Sequence, residues 1–397
     1  MKTFNSENNE KSKDFIKDII EKNTDFFIQA RHHLHQYPEL SGKEVETRKY
    51  IESFLASWNI AYERAGDNSI VATINGKGSN QKTIALRGDI DALPITEETE
   101  LEWQSKNPGV MHACGHDVHG TFMLGAAKLL NELKDSFDGR VKIIFQESEE
   151  NGAGAKKVLE SNLLDDVDTI LALHDSQEID LGVFALGYET MSAFGAGGHF
   201  IIESTGKQNA ITIASELVSL ITALAAENFP KSEQIVMVPT LIQTEEIKEC
   251  LPSKVSVYYN SRTLNFANEE IMQKVLTQAA KKTEEVFECK IEAILRKPGK
   301  VVNNNKYYTD FAAQIIKKYF GEEYAKFARP VMSGEDFAHF QEKIPGTYLH
   351  IGGAVNKDYR ILHTSKTCVD DKILAIGIEF LLRYVFEYFK TSHINEE

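Results

Sequence analysis

Cysteine is scarce in this chain: four occur in 397 residues, at Cys114, Cys250, Cys289 and Cys368. None lies in a Cys-x-x-Cys pair, so a disulfide framework is not expected and a reducing, cytoplasmic compartment is. Runs of Lys or Arg are missing too. With a net charge of −15 and no basic cluster, the chain is a poor partner for a phosphate backbone, and no nucleic acid is expected. Long apolar runs are also lacking. The N-terminal stretch Met1–Glu21 mixes charged and apolar residues, unlike a signal peptide. The most apolar stretch, Ile373–Phe389, carries Glu379, Arg383 and Glu387 at every fourth position. That stripe suits a helix lying on a globular surface and argues against a membrane span.

What is present is an ordinary globular composition, 42% hydrophobic and 26% charged. At roughly 100–200 residues per domain, the length suggests two or three domains. Apolar periodicity predicts helices over about Ser12–His35 and Lys43–Trp58, then strands Ser69–Ile74 and Thr83–Arg87. Further on come a helix over about Gly120–Leu133, a strand Arg140–Phe145, a helix over about Ala155–Ser161, and a strand Thr169–Leu173 running into His174. This alternation indicates an α/β layer with a mostly parallel central sheet flanked by helices. Between about Gly187 and Arg296 the order becomes β-α-β-β-α-β, that of a ferredoxin-like unit. The expectation is therefore a discontinuous α/β domain, residues 1–186 and 297–397, with an inserted α+β domain at 187–296.

Four segments carry chemistry. Met111–His119 holds three histidines, a cysteine and an aspartate within nine residues. Imidazole and thiolate are good ligands for zinc and related ions, and a bound cation deprotonates the thiol outright. A surface histidine cluster at a helix start would look the same. Phe145–Gly152 ends a strand in three glutamates, Glu147, Glu149 and Glu150. Neighbouring residues point different ways, so one of Glu149 and Glu150 can bind a metal while the other faces a reacting water. A solvated acidic loop fits that segment equally well. His174 closes an apolar strand, and His363 lies in Leu-His-Thr-Ser; each alone is weak. Sites in open α/β sheets gather beyond the carboxyl ends of strands, and all four segments would converge there. Together they can serve two metal ions, or one with a general base to spare.

The pattern resembles the amidohydrolase/aminoacylase branch of the two-domain metallopeptidases, which includes hippurate hydrolases, N-acetyl-amino-acid deacetylases and auxin-conjugate hydrolases. The matching pieces are R-H-H-L-H-Q-Y-P-E-L from Arg31, L-R-G-D-I-D-A-L-P from Leu86, M-H-A-C-G-H-D-V-H from Met111, F-Q-E-S-E-E-N-G-A-G-A from Phe145, A-L-H from Ala172, S-G-E-D-F from Ser333, and the late L-H-T-S. The resemblance implies that Cys114, His116, Glu150, His174 and His363 hold a metal centre of two divalent ions (Zn or Mn, with Co admissible). It implies Glu149 as general base, an N-acyl amino acid or short peptide as substrate, and the inserted unit as a lid or dimerisation domain of a homodimer. Arg262 matches a lid arginine that would face a substrate carboxylate.

The chain departs from that pattern in places. Glu147-Ser148 stands where the family usually has Pro-Ala, and Asp175-Ser176-Gln177 replaces an aromatic-rich turn. Gly195-Ala196-Gly197-Gly198-His199 looks like the family's lid loop but falls before the strand Phe200–Ser204, where the order would place Thr205-Gly206-Lys207-Gln208. The lid histidine is expected to be missing rather than supplied by His199. Cys250-Leu251-Pro252 also differs from the usual lid segment. Two rival functions follow: a di- or tripeptide exopeptidase on the same metal centre, and a catalytically silent binding or regulatory homologue.

Overall fold

A computed structural model describes residues 7–78, 80, 82–244, 252–265, 267–296, 300–355 and 362–391. In chain order its first elements are α1 (Glu7–Gln36), α2 (Val45–Ser57), β1 (Ala61–Ala65), β2 (Ser69–Asn75), β3 (Thr83–Asp89), α3 (His116–Glu132), β4 (Arg140–Gln146), α4 (Gly154–Glu160), β5 (Thr169–Ser176), β6 (Phe184–Leu186) and β7 (Glu189–Thr190). There follow β8 (Phe194–Ser204), α5 (Ala210–Asn228), β9 (Ile235–Thr244), β10 (Lys254–Thr263), α6 (Asn268–Val286) and β11 (Cys289–Arg296). The chain ends with β12 (Asn303–Asn304), α7 (Lys306–Tyr319), β13 (Ala325–Phe327), α8 (Ala338–Gln341), β14 (Gly346–Gly352) and α9 (Lys372–Lys390).

The elements form two units. The first comprises residues 1–189, 303–329 and 336–397; the second comprises 190–302 with 330–335. The second is wider than the span 187–296 expected, and it takes in part of the Ser-Gly-Glu-Asp-Phe segment.

The first unit is built on an eight-stranded sheet in the order β1-β2-β4-β3-β5-β14-β6-β13. Its centre is parallel: β4, β3, β5 and β14 run the same way. Antiparallel pairs flank that centre, β1–β2 and β2–β4 on one side and β14–β6 on the other. Strands β3, β4 and β5 are apolar and buried almost throughout, as strands covered on both faces must be. Strand β1 went unread in the sequence because, at the sheet margin, it keeps Glu63 and Arg64 exposed. Phe27, Phe122, Phe145, Leu349, Ile378 and Phe380 join one continuous core. The stripe on α9 is not a solvent face. Arg383 is 2% exposed, paired with Glu379 and set over the Tyr319 ring at 4.2 Å. Burial of a long cation is tolerable here because both its charge and its planar face are matched.

The second unit is a four-stranded antiparallel sheet in the order β11-β8-β10-β9, the ferredoxin-like arrangement. Its core gathers Phe200, Ile202, Val255 and Val257 from the sheet with Ile213, Leu217, Met272 and Val275 from the helices. Helix α5 is the one described helix long and apolar enough to cross a membrane by composition. Its buried residues Ile213, Ala214, Leu217, Ile221 and Leu224 belong to this core.

Candidate metal centre

The site lies in the first unit, at the carboxyl edge of the parallel strands. Strand β5 delivers His174 within its last turns of pairing, and β4 ends just before Glu149 and Glu150. Helix α3 begins at His116, four residues earlier than expected, because Gly115 takes a left-handed φ of 80° and turns the chain into the helix without a side-chain cap. An added Cβ at Gly115 would lie 1.8 Å from Asp175 Oδ1, so only glycine fits between Cys114 and His116. His363 has φ 61°, a costly conformation for a non-glycine residue and one that persists where surroundings enforce it. Here its N–H donates to Ala113 O at 2.9 Å, tying this loop to that of Cys114.

The five expected ligands converge. Cys114 Sγ lies 3.2 Å from His363 Nε2 and 3.7 Å from His174 Nε2. Glu150 Oε1 lies 3.6 Å from His363 Nε2 and 3.9 Å from His116 Nε2. Donors around one tetrahedral ion, each about 2.0–2.3 Å from it, sit roughly 3.3–3.8 Å apart, so the spacing suits coordination. Two sets of donors, Cys114–His116–His174 and Cys114–Glu150–His363, share the thiol. Glu149 groups with His116 and Glu150, and its Oε1 accepts from Asp336 N at 3.3 Å.

The surrounding residues set the ligands' tautomers. His116 Nδ1 donates to the Asp91 carbonyl at 2.9 Å, and His174 Nδ1 to the Asp175 carbonyl at 2.6 Å. Both Nε2 atoms are thereby turned toward the cluster, as metal-binding histidines require. His116 Nε2 and Glu150 Oε1 are buried and have no hydrogen-bond partner. Such orphaned atoms cost about 1–3 kcal/mol each, a cost that a cation at this point removes.

Proton affinities tell the same story. Burial, then the Glu150 charge, pushes the Cys114 thiol well up. Burial lowers the pKa of His116, but Asp89, Cys114 and the Asp91 hydrogen bond outweigh it, and the net value lies well above the usual imidazole range. Burial likewise raises Glu150, against the opposing pull of His116 and His363. Without a metal these donors hold protons; a cation displaces them. His174, by burial and then the His119 charge, is held neutral and ready to coordinate.

Of the other histidines in the Met111–His119 segment, His119 falls within two further groups of possible donors, with Asp89 and His116 and with His174 and Asp175. His119 is clamped: Nδ1 lies 2.5 Å from Asp89 Oδ1 and Nε2 3.0 Å from Asp175 Oδ1. Burial works against its proton, but Asp89 and Asp175 prevail and raise its pKa to about 9. His112 is buried with both ring nitrogens unpartnered. Sequence reasoning gave no role to Asp89, Asp91 and Asp175. The two acids two residues apart at the end of β3, in Gly-Asp-Ile-Asp, were the available signal.

His199 sits in mid-strand on β8, stacked on Tyr258 at 4.1 Å, and the chain passes from β8 to α5 through Thr205–Asn209. Arg262 lies on β10, where Nη1 donates to Ser261 O at 3.1 Å. Cys250 and Leu251 fall outside the described residues.

A thiol, three imidazoles and a carboxylate within one another's reach, with a second carboxylate beside them, form the donor set of a metal-dependent hydrolase. The chain belongs to the peptidase family M20/M25/M40, whose pattern matches residues 85–387. It is similar to an N-acetyl-L-cysteine deacetylase of Bacillus subtilis, 33% identical over 372 residues, 89% of this chain and 86% of that one. It is similar also to thermostable carboxypeptidase 1 of Saccharolobus solfataricus, 30% identical over 381 residues, 91% of this chain and 95% of the relative. Among solved structures, a dinuclear metal-binding M20 peptidase of Bacillus subtilis superposes with a TM-score of 0.77 at 27% identity, covering 94% of this chain and 100% of that one.

Proposed function

We propose that this chain hydrolyses the amide bond of an N-acyl amino acid or short peptide, with Cys114, His116, Glu150, His174 and His363 holding two divalent ions and Glu149 as general base. The observation that carries this reading is the pair of orphaned, buried atoms, His116 Nε2 and Glu150 Oε1, facing a shared thiol. Cys114 belongs to both donor sets. The soft thiolate and the imidazoles suit zinc, and the carboxylates also admit manganese or cobalt.

When bound, the ions would supply Lewis acidity, lowering the pKa of a water and polarising the scissile carbonyl. Glu149 stands beside the cluster with one oxygen held by Asp336 N. Its carboxylate takes the proton of the attacking water and returns it to the leaving amine. Replacement by glutamine keeps the shape and removes the base. Glu149→Gln is expected to retain two ions per chain by elemental analysis and to lose about 10²–10⁴ in kcat. Near-parental turnover would sink the assignment.

The exopeptidase alternative draws on the carboxypeptidase relative, and rates on free dipeptides against N-acetyl amino acids decide between them. The silent homologue draws on His199 lying in a strand rather than a loop; a metal-replete protein inert on both panels would favour it. A cytoplasmic location accords with Cys114, Cys289 and Cys368 being free. The homodimer would form through β9, the last strand of its sheet. Val238, Leu241 and Ile242 on it are 43%, 50% and 46% exposed, and an unpaired apolar edge is a template for a second strand.

A further inference from the structure

Asp175 lies in the segment where this chain departs from the family pattern, and its carboxylate is fully buried. Burying a charge is costly unless every lone pair is matched. Here Oδ1 faces His119 Nε2 at 3.0 Å and Oδ2 accepts from Gln177 Nε2 at 2.7 Å. Gln177 is itself 1% exposed. Across His119 the line continues to Asp89 and from there to Arg87 Nη1, 2.7 Å from Asp89 Oδ2. The backbone carbonyl of Asp175 accepts from His174 Nδ1 at 2.6 Å. Its Oδ1 fills the space over Gly115, where a Cβ would sit 1.8 Å away. One residue therefore braces His174 through its backbone carbonyl, touches the backbone between Cys114 and His116, and places a carboxyl group behind the donors.

We propose that Asp175 is a positioning residue that sets how tightly this chain retains its divalent ions. The inference rests on the metal-centre reading above. The carboxylate acts at one remove from the ligands: Oδ1 lies 3.8 Å from His174 Nδ1 and holds His119, whose ring packs edge-on against that of His174 at 4.3 Å, and losing a partner that orients a ligand typically costs about 10–100-fold in metal affinity.

The test is chelator competition on zinc-loaded full-length protein, with melting temperatures of the metal-free forms measured alongside. Asp175→Asn keeps the shape and an acceptor but removes the charge; Asp175→Ala removes both. The apparent Kd is expected to rise about 10-fold in Asp175→Asn and toward 100-fold in Asp175→Ala, with the metal-free melting temperature of Asp175→Asn close to that of the parent. Parental affinity in Asp175→Asn, or a loss that merely follows a drop in metal-free stability, overturns the proposal. His174→Ala serves as control. If the parent itself binds no ion, the metal-centre reading has failed; if the parent binds two and only His174→Ala loses them, Asp175 alone has been misassigned.

Discussion

The opening motif Arg31–Leu40 holds none of the expected ligands, yet it underpins the site through Asp117, the second residue of α3. Asp117 Oδ2 accepts from Arg31 Nε at 3.0 Å and lies 3.0 Å from His35 Nδ1, all three residues being buried. His35 Nε2 meets Glu97 at 3.2 Å on its other side. Arg31 and the ring of His112, 6.4 Å away, complete the groups around it. Burial lowers the pKa of His35, but Asp117 and the hydrogen bonds to Asp117 and Glu97 prevail, and the net value is raised to about 9 from 6.5. At about 1.4 kcal/mol per pH decade, that displacement corresponds to about 3 kcal/mol of stability. Because the folded-state pKa is the higher one, this stability is fully present below about pH 6.5 and disappears as pH rises through about 9. Replacing His35 with glutamine keeps a polar side chain and removes the titration. Urea unfolding of metal-free parent and His35→Gln, at about pH 6 and about pH 9.5, isolates the effect, since every other group titrates in both. The parent should lose about 3 kcal/mol more than the variant between the two conditions. Parallel losses would refute the charged His35–Asp117 pair.

The remaining predictions concern the same framework. Arg31→Met leaves Asp117 with His35 as its sole charged partner, and should cost about 3 kcal/mol, read as a fall of about 6 °C in Tm. Gly115→Ala drives a methyl group into Asp175 at a φ of 80°; elemental analysis should find well under one ion per chain where the parent holds two. Leu241→Asp places a charge on the exposed edge of β9 and should shift the proposed homodimer to monomer in analytical ultracentrifugation, with the metal content unchanged. A dimer that persists would move the interface elsewhere.

Much of this was legible in the chain. Strands β3, β4 and β5 are apolar runs too short for helices and bounded by turns, and the β-α-β-β-α-β order survived intact because each element keeps its own period. The five donors were named through the family resemblance; from the residues alone Met111–His119 was the strongest signal, while His174 and His363, each a lone histidine, carried little. What escaped was tertiary. The start of α3 depends on a left-handed glycine, which reads as a loop. The α9 stripe has the spacing of a solvent face, but Tyr319 covers it. The buried acids Asp89, Asp91 and Asp175 are ordinary surface residue types until the fold gives each an imidazole, and no local pattern encodes a partner 25 to 56 residues away.

Asp336 shows how separate motifs become one device. Its carboxylate accepts from Arg87 Nη2 at 2.8 Å, from Gln146 Nε2 at 2.8 Å and from Ala155 N at 3.0 Å. These donors come from β3, from the end of β4 and from the first turn of α4, so a single buried anion ties the two strand ends to the helix that follows the glutamate loop. Its own N–H then points back to Glu149. The proposed general base is thus oriented by a residue whose side chain is already immobilised, and Ser148, with φ 56°, is held in its strained turn by Glu44, which accepts from Ser148 N at 2.9 Å. A base on a free acidic loop would spend most of its time solvated and misdirected. Fastened on both sides, Glu149 has one oxygen committed to the Asp336 backbone and a fixed direction, which is the preorganisation that the proposed general-base role needs.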